Sequence, residues 1–217
     1  MTGKGELPPQ WLITGDDPSA PLLILAHGAG AGFDTPFMTM ISEAMSARGV
    51  MVARFEFAYM RRRRETGKRG GPGRAERLLG EYEARVREWA ARAPVFIGGK
   101  SMGGRIASML ADDLHGQGLV SGLVCLGYPF HPPGKPRNTR TAHLETLETP
   151  ALICQGERDP FGNRQDVASY ALSGAIAIHW APDGDHDLKP RVKSGHTWEG
   201  NIQAAARAAT AFIRDHA

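Results

Sequence analysis

The stretch Val95-Phe96-Ile97-Gly98-Gly99-Lys100-Ser101-Met102-Gly103-Gly104 joins an apolar run to a G-x-S-x-G pentapeptide, and residues 105–114 after it carry a helical pattern. Strand, tight turn and helix in that order form a nucleophile elbow, where a serine sits on a sharp turn with its hydroxyl exposed. The bare pattern is weak. With 27 glycines in 217 residues, chance supplies roughly 0.14 such pentapeptides per chain. Ser101 as an ordinary helix-cap serine is the competing explanation, so the flanks and partners of the motif have to decide.

Outward from it, apolar runs alternate with amphipathic stretches. Pro21-Leu22-Leu23-Ile24-Leu25-Ala26 is apolar throughout, the pattern of a strand buried on both faces of a parallel sheet. It ends in the small-residue loop His27-Gly28-Ala29-Gly30-Ala31-Gly32, whose backbone can approach a ligand closely. Asp34-Thr35-Pro36 supplies cap residues and a first-turn proline for a helix carrying Phe37, Met40, Ile41 and Met45 and stopping near Gly49. Further strands are expected at 50–55, 120–126, 151–154 and 175–180. Helices are expected at 74–92, 165–172 and 198–213, with one helical turn near 143–147, while 61–72 reads as a polar loop. Strands alternating with helices from end to end imply a single α/β domain over 1–217, built on a mainly parallel sheet with helices on both faces.

In such sheets ligands sit at the carboxyl ends of the strands. His27-Gly28-Ala29, Ser101, Asp159 and His186 each follow a strand. A serine hydroxyl is a poor nucleophile until a neighbouring base takes its proton, and that base needs an orienting acid. Ser101, Asp159 and His186 stand in the order Ser…Asp…His that elbow enzymes use. Ser101 is thus the candidate nucleophile, His186 the base and then the acid, and Asp159 the group that holds the imidazole. Backbone N–H groups of Met102 and Ala29 are the candidate donors to a developing oxyanion. Asp159 competes with a role as a turn residue before Pro160, and Glu157 and Asp166 lie off the strand–turn position. His196 also precedes the last helix, but His186 follows its strand end more closely. His27 reads as loop-shaping and His179 as structural, and His131 falls near the site mouth with its role open.

Composition narrows the alternatives. Net charge is +3, from 26 basic and 23 acidic side chains, so no global field points to nucleic acid. The basic group Arg61, Arg62, Arg63, Arg64, Lys68, Arg69, Arg74 and Arg77 has no interleaved aromatics for base stacking. It is either a solvated loop or, because it follows a strand, a feature that faces the site and favours anionic small-molecule substrates. Asp183-Gly184-Asp185-His186-Asp187 has Leu188 and Ser194 where a calcium loop needs glycine and glutamate, so no metal is expected. Residues 27–32 lack the dinucleotide spacing G-x-G-x-x-G, and no cofactor is expected. Cys125 and Cys154 lie in apolar runs, as buried thiols of a reduced protein do. Met1-Thr2-Gly3-Lys4-Gly5-Glu6-Leu7-Pro8 has no signal-like apolar region, and no run approaches about 18 apolar residues. The expectation is a soluble cytoplasmic protein that engages no membrane. Its oligomeric state is not legible.

Several segments together resemble a known family. They are Leu25-Ala26-His27-Gly28-Ala29-Gly30-Ala31, Phe55-Glu56-Phe57-Ala58-Tyr59-Met60, Gly98-Gly99-Lys100-Ser101-Met102-Gly103-Gly104-Arg105, Gly127-Tyr128-Pro129-Phe130-His131-Pro132-Pro133-Gly134-Lys135-Pro136, Gln155-Gly156-Glu157-Arg158-Asp159-Pro160-Phe161-Gly162 and Gly184-Asp185-His186-Asp187. The chain resembles the small α/β-hydrolase-like proteins grouped with testis-expressed protein 30 and, more distantly, dienelactone hydrolases. That resemblance implies an α/β-hydrolase fold without a large cap and a Ser101–Asp159–His186 triad, while the short stretch before the first apolar run leads us to expect a sheet of about six to seven strands rather than the family's eight. The resemblance does not name a substrate; the residues themselves lead us to expect an esterase- or thioesterase-like serine hydrolase acting on a small carbonyl substrate. A non-catalytic binding or scaffold protein on the same fold, or an acyltransferase or perhydrolase using the same triad, is the alternative.

Overall fold

Five consecutive apolar residues with no exposure place Leu22–Ala26 (β2) in the middle of a sheet covered on both faces. The computed structural model describes residues 10–68, 70–92 and 94–217. Arg69 of the basic group and the Met1–Pro8 start lie outside them. The remaining strands are Trp11–Thr14 (β1), Met51–Phe55 (β3), Val95–Lys100 (β4), Gly122–Leu126 (β5), Ala151–Gly156 (β6) and Ile176–Ala181 (β7). They form one seven-stranded sheet in the order β1-β3-β2-β4-β5-β6-β7. β1 runs antiparallel to β3 and every other pair is parallel. This is the α/β-hydrolase architecture without a large cap.

Alternation along each strand sorts the core into two layers. Leu22, Ile24 and Ala26 of β2, with Val95 and Ile97 of β4, meet the helices Ala75–Arg87 (α3) and Met102–Gly116 (α4). Leu23, Leu25 and Phe96 face the other way, against Pro36–Ser46 (α1) and Trp198–Asp215 (α6). A short helix, Arg164–Val167 (α5), follows β6. It is shorter than the 165–172 expected, because an Asn163–Asp166 capping box starts it and only four residues continue.

The polar loop expected over 61–72 is in part a helix, Ala58–Thr66 (α2). Arginine is a good helix former, and Gly67 closes the helix in the left-handed conformation at φ 68°. Only Met60 of α2 is buried, so the segment lacks the apolar stripe that marks a helix in sequence.

Beneath the elbow, the Tyr82 hydroxyl of α3 is fully buried between two strands. It lies 2.9 Å from Ile24 O and 2.6 Å from Gly98 O, and it accepts the Gly98 N–H at 2.9 Å. It ties helix α3 to the backbones of β2 and β4. Tyr82→Phe removes these buried hydrogen bonds, and the expected cost is about 2 kcal/mol, read as a lower urea midpoint at unchanged slope.

Candidate active site

The strand order reverses between β2 and β4, so the loops leaving them diverge and open a crevice. Ser101 stands there at φ 52° and ψ −115°, a strained conformation for a side-chain-bearing residue. Packing enforces it. A Cβ on Gly99 would lie 2.4 Å from Gly103 C, and one on Gly103 would lie 2.6 Å from Ala26 O. Only glycine lets α4 come this close to the sheet, and the turn into it has no slack. Ser101 N–H donates to Leu126 O at 3.0 Å, which fixes the turn from the β5 side.

The three candidate side chains lie in one hydrogen-bonded line. Ser101 Oγ is 2.8 Å from His186 Nε2, and His186 Nδ1 is 2.8 Å from Asp159 Oδ2. A carboxylate only accepts, so Nδ1 carries the proton and Nε2 is free to accept from the serine. Asp159 has no exposed surface. Its Oδ1 accepts Phe161 N–H at 2.8 Å, and its Oδ2 also accepts from Gln155 Nε2 at 2.9 Å. The Phe161 ring lies against the imidazole, 4.3 Å between centroids.

Lys100, one residue before Ser101, was not among the sequence candidates. It is 7% exposed, and its ammonium donates to His186 O at 2.8 Å and pairs with Asp187 at 3.2 Å. Burial pulls its pKa down and Asp187 pulls it back up. Nucleophile turn and histidine loop are thereby tied together. Lys100 and Gln155 each close an apolar run with a polar side chain, which is the one trace they leave in the sequence.

Ser101, His186 and Lys100 line a cavity of about 390 Å³ together with Ala31, Phe37, Met38, Phe161 and Trp198. Residues 28–32 form another of its walls. Met102 N–H is the first amide of α4 and has no acceptor within the helix. His131 is buried outside the cavity on Pro132 O and Asp166, and His196 is exposed away from it. Asp183 pairs with Arg158 and Arg191, and Asp185 accepts the N–H groups of Asp187 and Lys189. None of the arginines at 61–64 lines the cavity.

His27 shapes the loop. Phe57 N–H donates to its Nε2 at 3.2 Å, so its Nδ1 holds the proton and donates to Gly28 O at 2.6 Å. Burial lowers its pKa from the ordinary 6.5, as it does for His143 and His179. On acidification the unfolded chain therefore takes up these protons first, and stability falls as pH drops below 6.5. The urea midpoint is expected to decline between about pH 7.5 and 5, above the range where carboxylates titrate, and to decline less steeply in His27→Gln.

Residues 19–214 match the family described as alpha/beta hydrolase domain. The chain belongs to that family. Solved structures agree on the fold. Est1E from Butyrivibrio proteoclasticus, captured with ferulic acid, superposes with a TM-score of 0.66 at 14% identity, over 95% of this chain and 94% of that one. Dienelactone hydrolase from Anabaena variabilis gives 0.67 at 18%, over 95% and 91%. A serine hydrolase without lid from Xanthomonas campestris gives 0.63 at 17%, over 92% and 88%. Among the described residues no helix is long and apolar enough to cross a membrane.

Proposed function

We propose that the protein is a serine hydrolase that cleaves a small carboxylic ester or thioester through an acyl-enzyme at Ser101. Ser101 Oγ attacks the carbonyl carbon while His186 Nε2 takes its proton. Asp159 keeps the ring in that tautomer and stabilises the imidazolium. The tetrahedral oxyanion is received by the N–H groups of Met102 and Ala29. His186 then gives its proton to the departing alkoxide or thiolate. A water deprotonated by the same nitrogen releases the acid and regenerates Ser101.

The observation that carries this reading is the unbroken line from Asp159 through His186 to Ser101, at 2.8 Å per step, opening into the cavity. Walls of Ala31, Phe37, Met38 and Trp198 suit a short, uncharged acyl group. Among the described residues the lysine or arginine lining the cavity is Lys100, which is already engaged by His186 O and Asp187. Est1E, seen with a carboxylic acid bound, supports the same bond class. p-Nitrophenyl butyrate is expected to give a stoichiometric burst of nitrophenolate and then steady turnover, and a fluorophosphonate probe to label the chain. A folded protein that shows neither turnover nor label overturns the proposal in favour of a binding module.

A further inference from the structure

The four arginines at 61–64 take no part in the chemistry above, yet the helix that carries them lies along the loop 28–34. The Tyr59 hydroxyl donates to Ala29 O at 3.0 Å and lies 3.4 Å from Gly28 O. One turn on, Arg63 Nη1 donates to Gly30 O at 3.0 Å. Arg64 then pairs with Asp34 at 2.9 Å and with Glu56 at 2.6 Å, while Glu56 accepts Phe33 N–H at 3.4 Å. The carbonyls of Ala29 and Gly30 and the end of the loop are thus gripped by α2 and by Glu56 just before it, while Gly28 O is held by His27.

A trans peptide is planar, with C=O and N–H pointing opposite ways. Drawing the carbonyls of Ala29 and Gly30 toward α2 turns the N–H groups of Gly30 and Ala31, in the two peptides that follow the Ala29 donor, away from it. Residues 28–32 line the cavity and no residue of α2 does, so the side away from α2 is taken as the cavity side. Residues 28–32 are glycine and alanine only, so this part of the loop has no polar side chains of its own to hold its shape, and glycine lets the backbone wander. Oxyanion donors act by being aimed before charge develops.

On the hydrolase reading above, we propose that Tyr59 and Arg63 are positioning residues that clamp the donor loop from behind, fixing the two peptides after Ala29 so that its N–H, in the peptide whose carbonyl His27 holds, stays aimed at the reacting carbonyl oxygen. Burial pushes the Tyr59 phenol above its ordinary 10, so it remains a hydroxyl donor across the working range. Its ring packs against His27 and Phe57, 5.8 and 6.5 Å between centroids, contacts that Tyr59→Phe leaves in place.

The test compares wild type with Tyr59→Phe, Arg63→Gln, their combination and Arg63→Lys, using p-nitrophenyl butyrate turnover and the rate of fluorophosphonate inactivation. Each single removal is expected to lower kcat and the inactivation rate about tenfold and the pair about a hundredfold, with KM within about twofold. The midpoint of the kcat/KM pH profile stays in place, Arg63→Lys recovers most of the loss, and amide exchange over 28–31 accelerates in the pair. An unchanged kcat in the folded double variant overturns the clamp, as does a loss that appears only in KM or only in melting temperature. A folded wild type that takes no label and turns over no ester instead removes the hydrolase reading beneath it, so the two failures are distinct.

Discussion

Ser101→Ala is expected to lower turnover of p-nitrophenyl butyrate by a factor on the order of 10⁶ and to abolish fluorophosphonate labelling. The prediction is sharp because the change is chemically small. The hydrogen bond from the Ser101 hydroxyl runs to His186 Nε2, and that nitrogen faces the cavity, where water replaces the lost partner. Alanine keeps the strained φ of 52°, so stability is expected to stay within about 0.5 kcal/mol. Ser101→Gly removes activity equally but releases the strain, and is expected to melt higher, by about 1 kcal/mol. Retention of even one part in a hundred of the activity in a folded Ser101→Ala protein, or labelling that survives the change, would assign the nucleophile elsewhere.

Asp159→Asn is expected to cost about 10⁴ in kcat, and the buried surroundings say why no rotamer rescues it. Both carboxylate oxygens of Asp159 accept hydrogen bonds, from Phe161 N–H on one side and from Gln155 Nε2 and His186 Nδ1 on the other. An asparagine has one oxygen, so its NH₂ must confront either the Phe161 amide or the Gln155 and His186 donors. If it faces His186, the imidazole is pushed into the tautomer whose Nε2 already carries a proton and cannot take one from Ser101. If it faces Phe161, a buried N–H goes unpaired at about 1–3 kcal/mol. The checks are kcat from pH 6 to 9 and urea unfolding. Near-wild-type activity with lowered stability would make Asp159 a turn-forming residue only.

Strands β2 to β6 were legible because burial on both faces leaves a largely apolar run, interrupted in β3 by Arg54, and the reactive groups were legible because each follows a strand, His186 following the half-buried β7. Other parts leave no local pattern. β1 is four residues of half-buried edge strand, held by its antiparallel pairing with β3 some forty residues later. α2 is helical through arginine propensity, with a single buried residue. Its function-bearing contacts, Tyr59 and Arg63 on loop carbonyls, involve backbone atoms that any sequence would present. Lys100 and Gln155 act across 86 and 4 residues respectively. A lysine and a glutamine ending buried strands were visible, but their partners could be found only in the fold.

The two cysteines sit on neighbouring strands yet belong to opposite layers. Cys125 points at Gly104 of α4, and Cys154 at Ala205 of α6. Each thiol has no exposure, and the sheet itself separates them, so air oxidation has no intramolecular disulfide to form while the chain is folded. The same arrangement makes them independent clocks. A thiol-reactive dye reaches Cys125 when the α3–α4 layer lifts and Cys154 when the α1–α6 layer does. Comparing the two labelling rates in Cys125→Ala and Cys154→Ala proteins would time the opening of each side of the sheet separately.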